Sequence, residues 1–206
     1  MKKFLALILC ALMAASCLVL TSCNKDESGD DATTTAGEAA GNDAAETDAP
    51  KAVKDVPCKD IVAALETAFA GDIPEVGKLA FPVDDEYSDN YMDPDNLKFI
   101  WTGAWETMAE YEFIEDFAIR QPSGKSAFEL HIVKVKDAAN IDAVKAVMEQ
   151  RITQLENSDI KLYVTDGSYE KQMENVSTFV AGNYICLTIT TDKAKAESTI
   201  SSVLYE

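Results

Sequence analysis

The chain of 206 residues has one histidine, His131, and nine glycines that never cluster. A lone imidazole excludes zinc sites of the H-E-x-x-H kind, and no C-x-x-C spacing stands in for it. Any serine or cysteine triad would have to be built around His131, and no G-x-S-x-G elbow carries a nucleophile. The scattered glycines offer no phosphate-cradling loop. Basic residues are scarce as well: 18 lysines and arginines face 36 aspartates and glutamates, for a formal charge of −18. A surface this negative repels polyanions, so nucleic acid is not an expected partner.

What is present begins at the amino end. Lys2 and Lys3 precede FLALILCALMAASCLVL, an apolar run followed at once by acidic sequence rather than a basic stop-transfer flank. That is the pattern of an export signal over residues 1–22, with an uncleaved membrane helix as the alternative reading of the same run. Leu20, Thr21, Ser22 and Cys23 resemble the bacterial lipobox, in which the cysteine thiol takes diacylglycerol and becomes the new amino terminus. Cys17 follows a weaker version of the pattern. The expectation is lipidation at Cys23, with membrane lipid as the first partner and the outer face of the bacterial cytoplasmic membrane as the location. Cleavage there removes Lys2 and Lys3, leaving 16 basic against 36 acidic side chains.

Residues 24–55 contain no aromatic residue and consist almost wholly of Ala, Thr, Gly, Asp, Glu, Asn and a few lysines. Such a segment buries too little to offset the entropy of ordering, so 23–55 reads as a lipid anchor with a disordered acidic linker. Residues 56–206 are long enough for one domain with its own core. They keep two cysteines, Cys58 and Cys186, for which a disulfide and two buried thiols are both open readings.

Hydrophobic spacing places an amphipathic helix over Asp60–Phe69, with Ile61, Val62, Leu65 and Phe69 on one face. A stretch rich in Asp, Pro and Tyr then reads as a loop or short helical turns leading to a short strand near Leu97–Trp101. Glu112–Arg120 and Ser126–Val135 read as a hairpin, the second strand alternating Phe128, Leu130 and Ile132 with Glu129, His131 and Val133. Ala138–Glu156 is the clearest helix, its stripe formed by Ile141, Val144, Met148, Ile152 and Leu155. Residues 175–190 form a second hairpin around Gly182, and Asp192–Leu204 a closing helix with Ala196, Ile200 and Val203 or Leu204 inward. The expected fold class is α+β, a mainly antiparallel sheet with helices packed on one face.

His131 and Glu129 share a strand face, which makes an acid–base dyad or a metal pair geometrically available. Two outward ligands make no zinc site, and the favoured reading is an exposed polar histidine; no residue is assigned a catalytic or metal role, and no cofactor is expected. The close carboxylates of so acidic a chain need no catalytic explanation. Phe99, Trp101, Trp105, Tyr111 and Phe113 form an aromatic group that either completes the core or, if exposed, offers Trp101, Trp105 and Tyr111 as binding contacts.

The lipobox, the spacer, the central block FELHIVKVKDAANIDAVKAVMEQRITQL and the ending VAGNYICLTITTDKAKAESTI resemble the bacterial lipoproteins that carry the domain of unknown function 4358. Lys134, Lys136 and Asp137 match a step into the long helix; Gly182, Asn183 and Tyr184 match a turn into the last strand. The resemblance spans roughly residues 59–204 and implies extracytoplasmic localisation and a compact α/β domain. It supplies no activity and no catalytic residues. The leading expectation is a tethered module that contacts another envelope protein or a ligand. The alternatives are a glycan or small-molecule binder supporting uptake, and a hydrolase using His131 and Glu129.

Overall fold

The computed structural model describes residues 52–205, except 74–75, 106–107 and 123. The export signal, Cys23 and the linker through residue 51 lie outside the described residues. In chain order the elements are α1 (Cys58–Ala68), β1 (Val76–Ala80), α2 (Pro94–Thr102), β2 (Ile114–Pro122), β3 (Glu129–Val135), α3 (Ile141–Glu156), α4 (Ser168–Glu174), β4 (Val176–Ala181), β5 (Tyr184–Ile189) and α5 (Lys193–Tyr205). Short 3-10 turns precede β2 and α3 and follow α3.

The strands form one sheet in the order β1-β2-β3-β5-β4, with every neighbouring pair antiparallel. Both expected hairpins exist, β2–β3 and β4–β5, and Gly182 turns the second with φ +53°. The expected α+β class with a mainly antiparallel sheet is therefore what the chain adopts.

Helices lie on both faces of that sheet rather than on one. On one side α1 and α5 cover Ala118, Leu130, Ile132 and Cys186. On the other, α2 and α3 cover Phe117, Ile119, Val133, Val135, Ile185 and Leu187. The reason lies in the central strands. Leu130 and Ile132 supply one apolar face of β3 and Val133 and Val135 the other, so neither face can be left to water. Fully burying each such side chain contributes about 1.5–3 kcal/mol.

The stretch expected as a strand near Leu97–Trp101 is α2. Asp93 caps it, its carboxylate accepting from Asn96 N at 2.7 Å, Pro94 stands in the first turn, and Gly103 ends it at φ +73°. Leu97 and Trp101, four apart, then share the buried face. The other helical stripes point inward as expected: Ile61, Val62, Leu65 and Phe69 from α1, Val144, Met148 and Leu155 from α3, and Ala196, Ile200 and Leu204 from α5.

Packing onto the domain begins before residue 56. Val53 lies against the α1/α5 core, Lys54 N donates to Leu204 O at 2.8 Å, and Lys134 Nζ donates to Asp55 Oδ1 at 2.9 Å. The Tyr184 hydroxyl accepts from Val56 N and donates to Val56 O, each at 2.8 Å. The incoming chain is thus held at the end of the sheet where β4 turns into β5.

Candidate functional site

The two residues with the most chemistry on paper, Glu129 and His131, project from β3 on the side covered by α2 and α3. They do not face water: His131 is 0% exposed and Glu129 1%. The expectation of an exposed polar histidine is corrected here. Trp101 of α2 donates its indole N–H to His131 Nδ1 at 3.0 Å, and His131 Nε2 lies 2.8 Å from Glu129 Oε2. An indole nitrogen only donates, so Nδ1 must be the acceptor. The proton of the neutral ring therefore sits on Nε2 and is donated to Glu129.

Arg151 of α3 completes the chain of bonds. Its Nε donates to Glu129 Oε2 at 2.8 Å and its Nη2 to Oε1 at 2.5 Å, a bidentate fork. Nη1 donates to Gln154 Oε1 at 3.1 Å. Burial alone would raise the Glu129 carboxyl, but the bonds from Arg151 and His131 outweigh it and hold the group down at about 2. The network joins α2, β3 and α3 through ionised Glu129, charged Arg151 and neutral His131.

This arrangement fixes a carboxylate and an imidazole 2.8 Å apart, which is dyad geometry. Both imidazole nitrogens are already bonded, however, and the pair is shut under two helices, so neither nitrogen is available to a substrate. Among the described residues no group of three His, Cys, Asp or Glu side chains stands close enough to hold a metal ion.

The aromatic group divides instead of forming one surface. Trp101 is 0% exposed and belongs to the core, which corrects its candidacy as a contact. Tyr111 is half-buried and meets Phe117 edge to face at 6.4 Å. Trp105 is 66% exposed and stacks on Phe99, ring centres 3.9 Å apart and planes 19° from parallel. Of the three residues put forward as contacts, Trp105 alone is fully presented to solvent.

Cys58 and Cys186 are free, buried thiols within the α1/α5 core. Burial pushes Cys186 up to about 12, and burial together with the neighbouring Asp116 carboxylate raises Cys58 further still.

Sequence reasoning missed a cleft of about 490 Å³ bounded by the turn after α1, the loop between β2 and β3, and the segment leading into α4. Its lining includes Asp72, Lys125, Ser126, Tyr163, Asp166 and Gln172. Trp101, Trp105 and Tyr111 are not part of it. Tyr163 and its neighbour Leu162 stand two-thirds exposed, an exposed pair that apolar spacing does not flag because it closes a short 3-10 turn and falls on no α-helix or strand stripe.

No family model matches the chain, and neither a curated protein nor a solved structure is significantly similar to it. The fold and the side chains are what define it: an α+β domain with a five-stranded antiparallel sheet between helical layers.

Proposed function

We propose that this chain is an exported lipoprotein, held at the outer face of the bacterial cytoplasmic membrane through acylated Cys23, whose domain binds another envelope protein. The signal-like run ending in Leu20-Thr21-Ser22-Cys23 supports the anchor, and the acidic linker supports a domain held off the surface. The order of the Lys134–Asp137 step and the Gly182–Tyr184 turn supports kinship with the lipoproteins that carry the domain of unknown function 4358.

The observation that carries the binding role is the Phe99–Trp105 stack. Two aromatic rings already in contact at 3.9 Å present rigid apolar area to solvent, so a partner gains contact without ordering either side chain. Trp101 takes no part, because it lies inside the core.

Two measurements test the proposal. Metabolic labelling with an alkyne fatty acid should mark the wild-type protein in a lipoprotein-processing bacterium and leave Cys23→Ala unmarked; equal labelling of both sinks the anchor. Crosslinking in intact cells should then recover an envelope protein with wild type and lose it with Phe99→Ala/Trp105→Ala. Recovery unchanged by that double variant removes the stack from the contact.

A further inference from the structure

The cleft beside Tyr163 lies at the opposite end of the sheet from the incoming chain. Val53 to Val56 meet Gly182 and Tyr184, at the start of β5. Lys125 and Ser126 lie just before Glu129, which pairs with Ile189 at the end of β5. The five steps from Tyr184 to Ile189 separate the two ends by about 17 Å at strand spacing. The cleft and the point where the chain enters the domain thus lie at opposite ends of β5.

The lining has a definite chemistry. Its charged members are Asp72, Asp166 and Lys125, two negative and one positive, within a chain of formal charge −18. That balance disfavours anions. Apolar ligands fare no better, because the carboxylates of Asp72 and Asp166 and the ammonium of Lys125 would lose water without gaining partners. Ser126 and Gln172 are each more than nine-tenths buried, and they are preset: Gln172 Oε1 accepts from Ser126 Oγ at 3.0 Å and from Ala127 N at 2.9 Å. Asp166 is fixed by accepting from Ser168 N at 3.0 Å. One flat apolar surface stands among these groups. Tyr163 is 65% exposed, and Lys125 Nζ sits 4.8 Å from its ring centre.

We infer that this cleft binds a neutral carbohydrate, whose C–H face lies against the exposed Tyr163 ring and whose hydroxyls pair with Asp72 and Asp166. A sugar ring is the ligand class that offers a flat apolar face and a rim of donors and acceptors at once. A cation would meet Lys125 on the aromatic ring, and an anion would meet both carboxylates. Sugar binding does not rest on the lipid-anchor reading.

The test uses unlipidated Cys23→Ala protein, so a failure of the anchor reading leaves it untouched. Amide shifts are followed by NMR while chitotriose, maltotriose, inorganic phosphate or spermidine is added. A neutral trisaccharide should give saturable shifts centred on 125–127 and 163–172, with millimolar affinity. Tyr163→Ala, a surface change, should weaken that binding at least tenfold, and Asp166→Asn severalfold. The inference is overturned by silence from both sugars up to about 20 mM, by sugar shifts that Tyr163→Ala does not alter, or by phosphate or spermidine binding there more tightly than either sugar.

Discussion

Replacing Arg151 by Met probes the buried network most directly. The change keeps an unbranched apolar stem and removes the two bonds, 2.8 and 2.5 Å, that neutralise Glu129. Glu129 would keep only the N–H of His131 while its side chain stays 2% exposed. Stranding one partner of a buried ion pair costs about 3–5 kcal/mol, a large part of the roughly 5–15 kcal/mol that holds a domain folded. Urea unfolding at pH 7, followed through tryptophan emission, should show a loss of that size. Glu129→Gln should cost less, about 1–3 kcal/mol, because it leaves a neutral amide and an arginine whose side chain is 18% exposed. The double variant should fall well short of the sum of the two.

The pH dependence separates this account from simple loss of packing. In the wild type the Glu129 carboxyl is held at about 2, against 4.5 when unperturbed. Its contribution is therefore complete above about 4.5 and is lost as pH falls through the lowered folded value. In Arg151→Met burial is no longer opposed by the guanidinium, so the folded carboxyl is raised. It takes a proton in mild acid and relieves the variant as pH falls. The stability gap between the two proteins should accordingly narrow from pH 7 to pH 4. A gap below about 1 kcal/mol at pH 7, or one constant across that range, would falsify the ion-pair reading.

The two tryptophans should behave oppositely in unfolding experiments. Trp101→Ala is expected to cost about 3–5 kcal/mol, whereas Trp105→Ala should change stability by less than about 0.5 kcal/mol. Comparable losses would contradict the assignment of Trp101 to the core and Trp105 to the surface. Cys58 and Cys186 should resist a thiol reagent at neutral pH in the folded protein and both react in denaturant, because burial raises each thiol. Rapid labelling of either in native buffer would contradict that. Gly182→Ala should lower stability by about 1–2 kcal/mol, since φ is +53° and the new methyl would approach Val53 Cγ2 to 3.2 Å. A thermal melt matching wild type would mean that the β4–β5 turn relaxes.

Helix stripes and hairpins were legible because each residue there answers to one local period. The α1, α3 and α5 faces and the β4–β5 turn all follow from spacing and one glycine. The strand reading of Leu97–Trp101 fails at its flanks. The capping evidence ran the other way: Asp93 and Pro94 before it and Gly103 after it are start and stop signals for a helix. The residues lining the cleft come from three separate turns, and no periodicity brings together Asp72, Lys125 and Tyr163.

The misreading of Glu129 and His131 has a different physical origin. Alternation assigns polar residues of a strand to water, and that rule assumes the sheet has a wet face. Here β3 sits between two helical layers, so polar side chains on it must find partners inside. The partner was visible in α3. Val144, Met148, Arg151 and Leu155 follow one another at steps of four, three and four, which puts Arg151 on the inward stripe of its helix. A guanidinium on an apolar stripe is as anomalous as a carboxylate on a central strand, and each anomaly explains the other. Apolar stripes alone tolerate a sliding helix, but an α3 displaced by one turn would leave Glu129 buried without its counter-charge. The network therefore penalises that alternative far more than it stabilises the observed register.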